Sequence, residues 1–288
     1  LIVPGGNEPG RWIPGVDQMN WSLGEVAGGE VNGKLYLFGA GKDYTLIYDI
    51  AADSWSSLSN PKRPFIGDHH AAEVYDGKIY LFGGDGGGSE GQVQIYDPVL
   101  NSWSTGTPMP WNGASCSTAL IDGLVYVAGG IVDNLFTTDE VAAYDPALDT
   151  WSAPLAPMVD GRNHAAAGTD GSKLYVLGGR GPGSGDTNVL ANGFADIQIY
   201  DPLTDTWESS NDMGSTLAPM PVGRGGTGKA VYSDGEFYVF GGETLNGPGA
   251  TPSGAYDRVD VYDPVSNTWR LEAPMPTARH GIFPILFE

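Results

Sequence analysis

Four arginines, Arg63, Arg162, Arg224 and Arg279, recur just ahead of equivalent small-residue segments. A guanidinium is a rigid fork of donors that grips a carboxylate or sulfate, at about 1.5–3 kcal/mol per charged hydrogen bond. The chain carries 35 acidic against 14 basic residues, a formal charge of −21, so four arginines at one place would locally reverse the sign of the potential. Arg180 and Glu243 open two long segments, 180–196 and 243–258. Trp21, Trp111 and Phe194 lie outside the regularly repeated tryptophan position, which makes them the aromatics available to stack on a sugar. The expected ligand-binding set is therefore Arg63, Arg162, Arg180, Arg224, Arg279, Trp21, Trp111 and Phe194, serving an anion or a glycan.

Other chemistry reads as weaker. His70, His164 and His280 recur near the start of the small-residue segments, but each sits in a different repeat, too far apart to share one ion at bonds of about 2.1 Å. They are expected to be structural, and no metal centre is expected from them. Asp85 and Glu90 bracket a glycine-rich loop that offers hard oxygens to Ca2+ at low ligand density; no other cofactor is expected. Cys116 is the single cysteine, which excludes an intrachain disulfide and a cysteine zinc cage. Gly223-x-Gly-x-x-Gly228 spells a dinucleotide fingerprint but leads into a strand, without the helix N-terminus that binds phosphate. No catalytic triad or carboxylate pair stands out from the repeat, and no catalytic residue is assigned.

The elements that carry these residues repeat. One stretch reads VNGKLYLFGA, YDGKIYLFGG, IDGLVYVAGG, DGSKLYVLGG and SDGEFYVFGG; a second reads LIYDI, VQIYDP, VAAYDP, IQIYDP and VDVYDP. Each second stretch precedes a tryptophan (Trp55, Trp103, Trp151, Trp207, Trp269), at intervals of 48, 48, 56 and 62 residues. Asn-Gly and Asp-Gly pairs predict two-residue hairpin turns, alternation around them predicts strands, and proline closes the third strand because it cannot donate to the ladder. Each unit is then a four-stranded antiparallel meander. Small residues in the first strand and tryptophan in the fourth fit a wedge that is narrow at an axis and wide outside.

The di-glycine after an apolar strand, Tyr-Asp-Pro and the following tryptophan together resemble the kelch repeat, in five copies across about residues 21–280. The resemblance implies an all-β, six-bladed propeller in one domain, 1–288. Its blades are expected at about 21–60, 69–108, 114–156, 164–210 and 227–273, with a closing blade from 280–288 plus 1–14. In that closing blade 1–6 reads as a second strand and Trp12 as the fourth-strand tryptophan. Only five residues separate Gly6 from Trp12, so no third strand fits, and the blade is expected to be incomplete.

Meander geometry puts the long loops and the four arginines on one rim. The expected function is a non-catalytic recognition propeller that binds a glycan or an acidic peptide there. The family resemblance also implies that such arginines can bond neighbouring backbone carbonyls. It implies an enzymatic alternative too, a sugar-modifying activity like a sialic-acid mutarotase, with Arg224 or Arg180 and Glu243, or less so a galactose-oxidase-like one. The acidic surface argues against nucleic acid and anionic membrane as partners. No apolar run approaches the ~20 residues of a membrane span, and no secretion leader is read. An extracellular or surface setting is expected, with a cytoplasmic adaptor as the alternative.

Overall fold

Each repeat becomes one sheet because its turn residues stop every strand after a few residues. A computed structural model describes residues 2–5, 8–12, 23–133, 136–181, 193–245 and 247–287, with side chains from residue 12 onward. These residues form five four-stranded antiparallel sheets and a two-stranded ladder near the N-terminus, with a small rim sheet of Gly113–Ala114, Ile131–Val132 and Phe136–Thr137. Among the described residues there is no helix. In the first blade Val26–Val31, Lys34–Gly39, Thr45–Asp49 and Ser54–Leu58 pair in chain order. The next four blades begin with Ala71–Tyr75, Ser117–Ile121, Ala166–Thr169 and Val231–Ser233. At the hairpin turns Asn32, Asp76, Asp122 and Asp234 take φ between 48 and 53°, the left-handed geometry that Asn and Asp tolerate.

A ring of backbone hydrogen bonds fixes the closure. His69 N donates to Glu25 O, Ser115 N to His69 O, His164 N to Ser115 O, Gly226 N to His164 O and Gly281 N to Gly226 O; Val26 N completes the circuit to Gly281 O. Six blades therefore surround one axis, and the first strands face it. The channel they line is crossed by an ion pair between Lys229 and Glu73, from opposite blades. Thr118 Oγ1 donates to the second Glu73 oxygen at 2.9 Å.

Between blades the packing is aromatic. The third-strand tyrosine lies against the fourth-strand tryptophan of its own blade, with ring centroids 4.9–5.1 Å apart in Tyr262–Trp269, Tyr96–Trp103 and Tyr200–Trp207. Phe38 of the first blade meets Tyr96 and Trp103 of the second edge-on. Tryptophan Nε1 groups reach back one blade: Trp151 donates to Thr107 O, Trp207 to Ala156 O and Trp269 to Ala218 O, all at 2.9 Å.

Trp12 makes the same bond, from Nε1 to Ala273 O at 3.0 Å, so it is the fourth-strand tryptophan of the closing blade. The head differs from its expected place. Ile2–Gly5 pairs directly with Glu8–Trp12, with Ile2 opposite Trp12, as Tyr96 stands opposite Trp103. Ile2-Val3-Pro4 thus occupies the place of Tyr-Asp-Pro, the third strand; reading Gly5-Gly6 as the second-strand di-glycine misplaced it by one strand. At the other end, Ile282 and Phe283 pack against the fifth and first blades, which puts the tail at the axis.

Candidate functional site

The rim that carries the long loops surrounds the axial mouth. Its arginines, expected as free cations, are largely taken by the fold. Arg162, 1% exposed, donates to Asp160 O and Gly178 O and pairs with Asp196 at 2.6 Å. Arg224, fully buried, donates to Gly241 O and Val222 O and lies 2.8 Å from Asp260. Arg63 donates to Lys42 O and Gly67 O. Arg180 is buried against Glu243. Arg279 alone of the five is exposed; its carbonyl accepts from Gly242 N. Arg162 and Arg279 occupy one repeat position, since Arg162 O accepts from Gly130 N in the same way. Arg63 stands four residues before the corresponding Gly67 and inserts its side chain instead.

The aromatic expectations also change on inspection of their surroundings. Trp111 is buried and donates from Nε1 to Gly129 O at 3.3 Å, so its face is unavailable for stacking. Phe194 is half-buried with the Arg162 guanidinium 4.7 Å above its ring. Trp21, and 182–192 of the first long loop, lie outside the described residues. At the glycine-rich loop, Glu90 folds back to accept from Gly86 N at 3.0 Å. Asp85 groups with Asp68 and His69.

The histidines are offset from the expected register. The equivalent ring positions are His69 and His164, with φ 57 and 54°; His70 follows that position and His280 precedes the ring glycine Gly281. Sequence letters hid this because two adjacent histidines, His69 and His70, left the alignment free to slip by one. His70 is buried and neutral: its Nδ1–H donates to Gly83 O at 2.6 Å, and its Nε2 accepts from Arg63 at 2.8 Å. Burial first, then the Arg63 charge, push its pKa down to about 3.

The unfolded chain takes up the proton near pH 6.5, the folded one only near 3. Stability is therefore lost as pH falls through that window, by about 1.4 kcal/mol per pH unit for this residue. Urea melts of His70→Gln between pH 7 and 4 are expected to show a shallower acid loss than the parent; an unchanged slope would remove His70 from the account.

Glu243, a candidate only in the enzymatic alternative, lies beside Arg180 and His280. Its Oε1 meets Arg180, and its Oε2 lies 3.6 Å from His280 Nδ1. Loops of this rim carry the exposed apolar side chains Ile66, Phe136, Val159 and Leu245, while Val99, Leu100, Leu148, Leu203 and Val265 are exposed in the third-to-fourth-strand turns of the opposite rim. No sequence signal marked them, because single apolar residues in loops carry no periodicity.

A family model described as "Kelch motif" matches residues 68–110, 161–214 and 228–276. The Kelch-like protein terF of Aspergillus terreus is 26% identical over 97% of this chain and 63% of its own length. Kelch-like protein 23 of Homo sapiens is 30% identical over 73% of this chain and 34% of its own. The chain thus spans about one-third to under two-thirds of the length of these relatives. Among solved structures, YjhT superposes with a TM-score of 0.71 at 20% identity, covering 92% of this chain and 88% of that one, a likeness of fold.

Proposed function

The chain belongs to the kelch-repeat family, and from that premise we propose that it is a recognition propeller that seats a protein partner on its long-loop rim. What supports this reading is that the loops of this rim carry exposed apolar side chains, Ile66, Phe136, Val159 and Leu245, on a rigid scaffold, although the turns of the opposite rim carry others, among them Val99, Leu203 and Val265. Loops on such scaffolds are where recognition concentrates, and partly exposed apolar groups supply the desolvated centre of an interface. The acidic-peptide version is weaker, because Arg63, Arg162 and Arg224 already have partners. A glycan version is weaker too, because Trp111 is buried and Phe194 lies under Arg162. Of the two settings raised by the sequence, the intracellular adaptor accords with relatives in which a propeller of this kind is one part of a longer protein.

Affinity capture from the source organism tests this, comparing the parent with a Phe136→Asp, Leu245→Asp double variant. A partner held by the parent and lost from the variant, at unchanged melting temperature, is the expected result. Equal capture by both, or specific retention on a glycan array, would overturn it.

A second reading, a kelch-type sugar-modifying enzyme, is favoured by one cluster: the Glu243 carboxylate between Arg180 and His280. Such an enzyme needs a carboxylate able to take a sugar proton and cations to hold an acidic sugar. Under it, purified protein would accelerate anomeric exchange of sialic acid in NMR, and Glu243→Gln would abolish the acceleration.

A further inference from the structure

Six residues form the hydrogen-bonded ring at the mouth: Glu25, His69, Ser115, His164, Gly226 and Gly281. All six hold left-handed φ, from 51 to 69°, where glycine is the ordinary occupant. Two blades use glycine there. The other four force a polar side chain into that geometry, at a backbone cost of about 1 kcal/mol each.

Three of those side chains converge. His69 and His164, from the second and fourth blades, stand with ring centroids 5.0 Å apart. The Nδ1–H of His69 donates to Asp68 Oδ1 at 2.6 Å, and that of His164 to Asn163 Oδ1 at 2.5 Å. The Asn163 amide nitrogen donates in turn to Thr137 Oγ1 at 3.2 Å. With an acceptor on Nδ1, the neutral form of each imidazole presents Nε2 as its lone pair, the arrangement that carboxylate and amide acceptors impose on metal-ligating histidines. Glu25 Oε2 lies 3.5 Å from His69 Nε2. Each of the three residues offers an atom within 4.8 Å of the other two. Below them lies a cavity of 60 Å³ that includes Ser115, Lys229 and Phe283 in its lining, enough for about two waters.

We propose that Glu25, His69 and His164 bind a divalent first-row transition ion at the axial mouth, as a two-histidine, one-carboxylate site open to water on the cavity side. The donor set selects the ion: imidazole nitrogens suit Zn2+, Fe2+ or Co2+, whereas Ca2+ takes oxygen ligands. Bonds of about 2.1 Å place tetrahedral ligand atoms ~3.4 Å apart, so the side chains draw inward by about 1 Å or somewhat more while the backbone ring stays in place. Ser115 Oγ, 3.2 Å from His164 Nε2, turns aside to free that lone pair. Asp68 accepts from the Nδ1 side of His69, and Asp85 groups with that pair, so Asp68 holds the ring rather than the ion.

Metal-free protein is titrated with Zn2+ by calorimetry and with Co2+ by its visible absorption bands. One ion per chain is expected, with His69→Gln and Glu25→Gln each weakening Zn2+ at least tenfold while the circular dichroism spectrum stays unchanged. Asp68→Asn should weaken binding about 10–100-fold, and Asp85→Asn should leave it within about twofold. Absence of saturable binding overturns the proposal, as does a His69→Gln protein that binds Zn2+ as tightly as the parent. Loss on Asp85→Asn with retention in Glu25→Gln would also overturn it, by moving the ion to the other face of His69.

Discussion

Arg162→Ala is expected to remove about 3–5 kcal/mol of folding stability and to lower the melting temperature by roughly 10 °C. The guanidinium is almost wholly buried, and its Nη2 is 2.6 Å from an Asp196 carboxylate that is itself 4% exposed. Truncation would leave that carboxylate charged in a low-dielectric setting, and would strip the Gly178 carbonyl of a donor at 3.0 Å. Uncompensated buried groups are what make such losses large, even where the intact pair contributes little net stability. Arg224→Ala should behave alike but less severely, because Arg258 also pairs with Asp260 and remains. Exposed Arg279→Ala provides the contrast, at about 0.5 kcal/mol or less. Taking Arg162 and Arg224 as ligand-binding cations, as their repeat spacing suggests, implies the reverse: replacing them would spare the melting temperature and abolish ligand binding. Thermal melts decide between them: an unchanged Arg162→Ala midpoint would sink the buried-pair account.

Why the arginines misled while the blades did not follows from what each signal measures. Tyr144, Asp149 and Trp151 recur because each has a fixed local job: the tyrosine hydroxyl donates to Asp149 Oδ1 at 2.5 Å, and Asp149 also accepts from Thr107 N of the preceding blade. Such residues are constrained by their own repeat, so spacing reveals them. The partners of Arg162 and Arg180 are Asp196 and Glu243, 34 and 63 residues away, and nothing in local spacing says whether a guanidinium will find a buried acid or face water. The charge of −21 made four arginines look conspicuous, although a surplus of acids is also what neutralises them. The mouth cluster was hidden for a related reason. Glu25, His69 and His164 share a repeat position, but glutamate and histidine are different letters, and the His69-His70 doublet drew attention to the wrong member. Loop apolar residues such as Phe136 carry no pattern at all; only the closed ring places them on a common rim.

The di-glycine of the repeat supports the other large expected effect. In the second blade Gly83 holds φ +62°, and a Cβ there would stand 1.9 Å from the carbonyl oxygen of Gly113 in the connection to the next blade. That same oxygen accepts from Gly84 N at 3.0 Å. The pair of glycines is thus an interblade contact: the first makes room for a carbonyl that the second binds. The arrangement recurs, with Gly130, Gly179 and Gly242 donating to the carbonyls of Arg162, Arg224 and Arg279, each at 2.9 Å. Gly83→Ala must push two backbones apart and also carry the left-handed strain of an L-residue. Overpacking at about 1–3 kcal/mol and backbone strain at about 1–2 kcal/mol combine to a loss on the order of 2–5 kcal/mol. Gly77→Ala isolates the strain by itself: φ is +68°, yet nothing lies within 4 Å of the added methyl, so about 1 kcal/mol is expected. Urea denaturation of the two variants beside the parent reads the difference directly. Similar losses for Gly77→Ala and Gly83→Ala would show that glycine is required at the blade junction for its dihedral freedom alone, and that the neighbouring carbonyl does not set the repeat's signature.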